Sequence, residues 1–395
     1  MDFSNSNITR GIVGLAFGSA LLLSVASPAL AQTETVLYSF CYQSGCADGT
    51  DPYAGLVMDS KGNLYGTTVK GGAYGYGAVF TFSASGVETV LHSFGSQSGD
   101  GTYPYGGLVI GKNGNLYGTT QEGGAYSQGT VFKISRKGAE TVLYSFGSQS
   151  GDGARPFAGL IMDKQGNLYG TTAHGGGNNY GTVFKLSASG VETVLHSFGS
   201  QSGDGAYPWG GLIMDKQGNL YGTTGGGGAY VYYGTVFGLN TGGVETILHS
   251  FNYDGTDGNT PQCTLTMDKK GNLYGTTVSG GANDYGTIFE VSATGVETIL
   301  HSFNSDGIDG YSPLAGLVRD KKGNLYGTTN VGGATSRGAV FEFSADGVET
   351  ILHSFSYSDG NYPDAGLMMD KTGNLYSTTS SGGTYQNGTI FKVTP

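Results

Sequence analysis

The sequence predicts an all-β fold, a seven-bladed β-propeller with four antiparallel strands in each blade. The first observation is the heptapeptide Gly-Asn-Leu-Tyr-Gly-Thr-Thr, which recurs seven times in 395 residues, with Ser replacing its second Gly in the last copy. The copies begin at Gly62, Gly114, Gly166, Gly218, Gly271, Gly323 and Gly373. A repeat of about 50 residues built from strand-like segments is typical of propeller blades, because each blade buries its faces against its neighbours.

The two ends of the repeat array provide the second observation. Residues 33–40 have the sequence of the fourth strand of a repeat, but no first three strands precede them. Residues 388–393 have the sequence of a third strand, and no fourth strand follows. Seven complete blades therefore form only if the N-terminal strand completes the last one. We expect the two ends to close the ring, which leaves no free strand edge.

The first 31 residues are predicted to be a secretory signal peptide. Arg10 precedes a short apolar run at residues 11–23, and residues 29–31 read Ala-Leu-Ala, which is typical of a cleavage site. An uncleaved membrane anchor is the alternative, since Asp2 offsets the charge of Arg10. The propeller would then occupy residues 32–395 of a protein that is secreted, periplasmic or displayed on the cell surface, with no insertion into the membrane.

Each repeat divides into four strands, A to D, as residues 159–198 illustrate. Strand A is predicted at 159–163, strand B at 168–172, strand C at 181–187 and strand D at 191–198. The turns between them are rich in Asp, Ser and Gly, and Gly166 stands where a type I turn is followed by a positive φ. Strand D carries a Glu in every copy. We interpret this Glu as a charge on an exposed outer edge that blocks pairing with other chains.

Composition limits the kinds of partner. The formal charge of −11 argues against binding to nucleic acid or to an anionic membrane surface. In an oxidising compartment Cys41 and Cys46 could close a small loop as a disulfide, whereas Cys263 is expected to be a buried free thiol. No metal site is predicted, because five of the six histidines share one position in strand D that Tyr38 and Tyr144 fill in the other copies.

The repeat also has a long consensus that identifies relatives. It reads Gly-Leu-x-x-Asp-x-x-Gly-Asn-Leu-Tyr-Gly-Thr-Thr-x-x-Gly-Gly, followed by Gly-Thr-Val-Phe and Glu-Thr-Val-Leu-His-Ser-Phe. This motif resembles the bacterial GloVer tandem repeat over all seven copies, and part of it is similar to NHL-type propeller repeats. The Gly-Gly pair is similar to kelch repeats, although the kelch tryptophan is missing. The resemblance implies an extracellular repeat protein and carries no established activity.

The candidate binding site follows from positions where the copies differ. The D–A and B–C loops are expected on one face, around the mouth of the central channel, and each of the seven D–A loops contains a Pro. The residue after this Pro is aromatic in four consecutive copies, and the residue before the Pro also varies between copies. The predicted ligand-binding residues are Tyr53, Tyr103, Tyr105, Arg155, Phe157, Tyr207 and Trp209. Such rings stack on sugars or on apolar protein surfaces, unless they only cap the blades.

Two functions are compatible with this face. The first is non-catalytic recognition of a glycan or an extracellular protein, with no catalytic residues and no cofactor. The second is a carbohydrate-active enzyme, a polysaccharide lyase or glycoside hydrolase, which would place two or three perturbed ionisable groups in one cleft. Its candidate residues are Arg155, His174, Tyr207 and Asp364. Ca²⁺ is the one ion that the acidic D–A loops suggest, through pairs such as Asp254 and Asp257.

Overall fold

A ring of seven four-stranded antiparallel sheets is built by the part of the chain that the computed structural model describes, residues 33–395. The sheets follow the repeats in order, with one blade for each heptapeptide. The predicted seven-bladed propeller is confirmed, and the N-terminal strand completes the last blade. The predicted signal peptide lies outside the described residues.

The strands of each blade run from A, at the central channel, to D, at the outer edge. In the first four blades they are Val57–Met58, Leu64–Thr68, Ala78–Phe82 and Glu88–Ser93; Val109–Ile110, Leu116–Thr120, Thr130–Ile134 and Glu140–Ser145; Ile161–Met162, Leu168–Thr172, Thr182–Leu186 and Glu192–Ser197; and Ile213–Met214, Leu220–Thr224, Thr235–Leu239 and Glu245–Ser250. In the last three they are Thr266–Met267, Leu273–Thr277, Thr287–Val291 and Glu297–Ser302; Val318–Arg319, Leu325–Thr329, Ala339–Phe343 and Glu349–Ser354; and Met368–Met369, Leu375–Thr379, Thr389–Thr394 and Thr33–Ser39.

The ring is closed by strand pairing and by a repeated side-chain bond. The first strand pairs antiparallel with the last, so that Thr33 faces Thr394. In every blade the first Thr of the Thr-Thr pair donates a hydrogen bond to a backbone carbonyl of the next blade. At the closure Thr378 Oγ1 lies 3.1 Å from the carbonyl oxygen of Ala54. These bonds explain the first of the two Thr residues that end each heptapeptide.

The core consists of seven apolar clusters, one between each pair of neighbouring blades. Val183 and Phe184 of strand C are both fully buried but belong to two different clusters. Successive side chains of a strand point to opposite faces, so each blade is covered on both sides. This arrangement explains why apolar residues are adjacent in strand C rather than alternating with polar ones.

Local details differ from the sequence prediction. Strand A has only two residues, and strand D contains a bulge, since Val183 pairs with His196 but Phe184 pairs with Val194. The D–A and B–C loops of one blade also pair with each other in five short ribbons. These are Gly101–Thr102 with Glu122–Gly123, Gly153–Ala154 with His174–Gly175, Gly205–Ala206 with Gly226–Gly227, Gly258–Asn259 with Ser279–Gly280, and Gly310–Tyr311 with Val331–Gly332.

The cysteines lie in two environments. A disulfide joins Cys41 to Cys46 beside the 3₁₀ turn Ser44–Cys46, in the loop that follows the N-terminal strand. Cys263 is a free thiol and is buried in the core between blades 4 and 5. No helix within residues 33–395 is long and apolar enough to span a bilayer.

The predicted exposed position of the strand D glutamates is wrong. In each blade this Glu is partly buried against the preceding blade, and burial raises its pKa to about 7. The seven residues are Glu34, Glu88, Glu140, Glu192, Glu245, Glu297 and Glu349. The outer strand is not a free edge at this point, because the strand D and D–A loop of the preceding blade cover it. Glu245 Oε2, for example, lies 3.7 Å from His196 Nε2.

Candidate ligand-binding site at the channel mouth

The D–A loop holds the residue before Pro in an unusual backbone conformation. Tyr207 has φ of +58°, in the left-handed region that residues other than Gly rarely adopt. Two backbone hydrogen bonds hold it there, from its N–H to Tyr180 O at 2.8 Å and from Gly225 N–H to its carbonyl at 2.9 Å. The equivalent residues share a positive φ: Asp51, Tyr103, Arg155, Thr260, Ser312 and Tyr362. This repeated kink fixes where the residues on either side of the Pro lie.

The residues after the Pro surround the mouth of a central cavity of about 420 Å³. Its walls are formed mainly by the residues that lead into strand A in every blade. The mouth residues in blade order are Tyr53, Tyr105, Phe157, Trp209, Gln262, Leu314 and Asp364. The volume lies within the range of about 300–1,000 Å³ that is usual for small-ligand sites. The mouth is aromatic over blades 1 to 4 and polar or aliphatic over blades 5 to 7.

The four mouth rings form one continuous group, called here the aromatic arc: Tyr53, Tyr105, Phe157 and Trp209. Tyr105 and Phe157 stack with centroids 4.6 Å apart, and Trp209 meets Phe157 edge-on at 5.2 Å. Each ring of the arc is partly buried. The rings are therefore neither largely exposed, as an open platform would be, nor fully buried, as caps on the blades would be, because they cover one another around a narrow channel.

Asp364 adds a carboxyl group to the same mouth, on blade 7. Its residue is 9% exposed, and the Asn330 side chain donates a hydrogen bond to Oδ1. Burial raises the pKa of Asp364 to about 6, although hydrogen bonds from Ser380 and Asn330 oppose that shift. Burial, followed by the charge of Asp364, raises the pKa of Tyr53 on the adjacent blade. The aromatic arc thus ends, at Tyr53, beside the buried carboxyl group of Asp364, which accepts a hydrogen bond from the Asn330 amide.

The other predicted residues lie in a second group, next to the B–C loops. The His174 and Tyr207 rings are 5.6 Å apart, and burial together with the charge of the exposed Arg155 lowers the pKa of His174. The Tyr103 ring packs edge-on against that of Tyr76 in a neighbouring B–C loop, with ring centroids 5.8 Å apart. The structure therefore brings together three of the enzyme candidates, Arg155, His174 and Tyr207, but their side chains are not part of the cavity lining that contains Asp364.

The acidic pairs suggested for Ca²⁺ have other partners. Asp254 Oδ1 accepts hydrogen bonds from the backbone N–H groups of Thr256 and Asp257, at 2.9 and 3.0 Å. Asp257 is buried, and its Oδ2 accepts a hydrogen bond from the N–H of Asn252 at 3.0 Å. Both carboxylates thus stabilise the D–A loop, as Asp does in many turns.

Comparisons with known proteins agree with this architecture. The model of the family described as the Gloeobacter/Verrucomicrobia repeat matches residues 26–233, 148–321 and 211–395. No curated protein sequence matches the chain. The structure is similar to PorZ, a surface component of the type-IX secretion system of Porphyromonas gingivalis, with a TM-score of 0.56, 19% identity, and coverage of 87% of this chain and 46% of PorZ.

Two other solved structures share the fold. The structure of a puromycin hydrolase mutant matches with a TM-score of 0.55 at 11% identity. The match covers 86% of this chain and 52% of the hydrolase chain. A putative 6-phosphogluconolactonase from Bacteroides uniformis gives 0.50 at 15% identity, with coverage of 83% and 89%. At these identities the similarity establishes the propeller fold alone, since the same fold supports unrelated functions.

Proposed function

Because the chain belongs to the Gloeobacter/Verrucomicrobia repeat family and its blades build a cavity rimmed on one side by aromatic rings, we propose that it is an extracellular recognition protein. Its ligand is a glycan, bound at the mouth of the central channel. The single observation that carries this proposal is the aromatic arc facing the same cavity as Asp364.

The chemistry of the mouth suits a sugar. Aromatic rings pack against the C–H faces of a pyranose, while carboxyl and amide groups bind its hydroxyls, and this mouth offers both kinds of contact. Trp209 and Phe157 provide the apolar side, and Asp364 and Gln262 provide the polar side. The formal charge of −11 favours a neutral or cationic glycan over a polyanionic one.

Binding without catalysis is the simpler use of this geometry. Glycoside hydrolysis in most families needs two carboxyl groups that flank the scissile bond. Among the described residues, Asp364 is the one carboxylate in the lining of the cavity, and Arg155 and His174 lie in the second group. The amide of Asn330 and the raised pKa of Asp364 suit a hydrogen-bonding role toward sugar hydroxyls.

The test is a glycan-array screen of the purified protein, followed by affinity measurements on the hits. Trp209→Ala should weaken binding at least several-fold, since ring stacking contributes on the order of 1 kcal/mol. Tyr232→Ala is the matched control, because Tyr232 lies in a B–C loop and is 76% exposed outside the cavity. Equal loss of binding in both variants, or no loss in either, would contradict the proposal. Release of reducing ends from a bound glycan would replace recognition with catalytic cleavage, by hydrolysis or by elimination.

A further inference from the structure

A group of three polar side chains recurs at every junction between blades. It consists of the His or Tyr of strand D, the Asp of the following D–A loop and the Glu of the next strand D, and it is called here the junction triad. Five triads contain His: His92/Asp100/Glu140, His196/Asp204/Glu245, His249/Asp257/Glu297, His301/Asp309/Glu349 and His353/Asp359/Glu34. Two contain Tyr: Tyr38/Asp48/Glu88 and Tyr144/Asp152/Glu192.

The triad between blades 3 and 4 shows the geometry most fully. His196 Nε2 lies 3.3 Å from Asp204 Oδ1 and 3.7 Å from Glu245 Oε2. The side chains of Asp204 and Glu245 are only 1% and 2% exposed. In this triad, and in those of His249 and His353, one nitrogen and two carboxylate oxygens lie within 4.8 Å of one another. Three potential metal ligands therefore lie together at each of these junctions, most deeply buried at His196 and more exposed at His353, where the Asp359 side chain is 24% exposed.

The enclosed carboxylates are not satisfied by the protein alone. Glu245 Oε1 is buried and has no hydrogen-bond donor, although Oε2 accepts a long bond of 3.4 Å from Gln201. Asp257 Oδ1, in the next triad, is also buried without a donor. A buried acceptor without a partner costs about 1–3 kcal/mol, and more when it is charged. Glu88 Oε1 and Glu192 Oε1 at the Tyr triads are unpaired as well, so the unpaired Glu oxygen marks room for a further partner at every junction, and the His triads differ in offering an imidazole nitrogen beside it.

The distances distinguish the His triads from the Tyr triads. Tyr38 and Tyr144 donate ordinary hydrogen bonds of 2.7 and 2.8 Å to their Asp. In all five His triads the nitrogen-to-oxygen distance is 3.2–3.4 Å, which is longer than the 2.7–2.9 Å of a charge-assisted bond. Two ligands about 2.0–2.1 Å from a tetrahedral ion are separated by about 3.3 Å. The His–Asp pairs have that spacing, and the Glu of the His196 triad lies slightly farther from the imidazole, at 3.7 Å.

We propose that the His196/Asp204/Glu245 triad binds a Zn²⁺ ion and that the triads of His249 and His353 bind two more. Zn²⁺ fits because it accepts imidazole nitrogen together with carboxylate oxygen, whereas Ca²⁺ prefers oxygen ligands alone. A neutral imidazole and two carboxylates balance the charge of the ion in an enclosed site. On this proposal three of the five His triads bind metal, whereas the two Tyr triads are held by a hydrogen bond from Tyr to Asp.

The location of these sites gives them a structural role. Each joins strand D of one blade to strand D of the next, across a junction that is also held by apolar packing, the Thr bond and backbone bonds such as that from Tyr207 N–H to Tyr180 O. The third site includes Glu34 of the N-terminal strand, so Zn²⁺ there would link this strand to blade 6. An ion that binds only the folded ring stabilises the ring by mass action.

The test is a metal count on the purified full chain after chelator treatment, Zn²⁺ addition and removal of free ion. We expect up to three Zn²⁺ per chain and a rise in Tm that Ca²⁺ does not reproduce. His196→Tyr should lower the count by one while keeping the fold, because Tyr occupies this position in two natural triads. Glu245→Gln should have the same effect, and Glu192→Gln, at a Tyr triad, should leave the count unchanged. No retained Zn²⁺, or a count that neither His196→Tyr nor Glu245→Gln lowers, would overturn the proposal.

Discussion

Truncation of Phe40 tests whether the N-terminal strand is a full member of the last blade. Phe40 is fully buried, its ring is 5.1 Å from that of Phe80, and its N–H donates to Gly388 O at 3.0 Å. Phe198 has the same position in blade 3 and is also fully buried. Replacing a buried Phe with Ala costs about 3–5 kcal/mol of unfolding free energy. We expect Phe40→Ala and Phe198→Ala to fall in this range and to be similar.

The assay is urea unfolding followed by far-UV circular dichroism, with equal m values required for the comparison. Tyr42→Ala is the control, because Tyr42 lies two residues away and is 69% exposed. Its effect should stay within about 0.5 kcal/mol, as is usual for surface substitutions. The ring-closure account would be refuted if Phe40→Ala behaved like Tyr42→Ala while Phe198→Ala lost several kcal/mol.

Three further predictions concern acids and the disulfide. The pKa of Asp364 is raised to about 6 in the folded state, so its contribution to stability is present at acidic pH and is lost as pH rises through 6. Asp364→Asn should therefore raise Tm relative to wild type more at pH 8 than at pH 4. An equal change of Tm at the two pH values would contradict this prediction. Burial raises the pKa of Glu192 to about 7, so Glu192→Gln should weaken the decline in Tm between pH 5 and pH 8, and an unchanged pH profile would show that this carboxyl is well solvated. Replacing Cys41 and Cys46 with Ser should lower the unfolding free energy by about 2 kcal/mol in urea titrations, whereas no change would mean that the loop is already ordered without the bond.

The fold was predictable because all seven repeats have the same turn and strand residues at nearly the same spacing. Gly166 adopts the expected positive φ of 88°, and strand B coincides with the heptapeptide segment Leu168–Thr172. The bulge in strand D was not predictable, since it depends on pairing between strands C and D. The junction triads were missed for a related reason. His196 and Glu245 are 49 positions apart and meet only when two blades pack together, and a pattern within one repeat does not reveal contacts between repeats.

The candidate site was partly predictable. Departures from the repeat located the aromatic arc correctly at the channel mouth, because residues that differ between equivalent blades are not needed for the fold. The stacking of Tyr105 on Phe157 was not predictable, since it depends on the channel width that seven blades impose. The bond from Asn330 to Asp364 also joins two blades, and neither residue belongs to a recognisable motif.

The most direct test of glycan binding at the channel mouth is the fluorescence of Trp209, the only tryptophan in the sequence. Titration with a glycan identified on the array should change its emission in a saturable way, because a sugar that stacks on the arc removes water from the indole. The Kd from this titration should equal the Kd from calorimetry. A glycan that binds by calorimetry and leaves the Trp209 emission unchanged would show that the ligand binds elsewhere, and would contradict the proposed site.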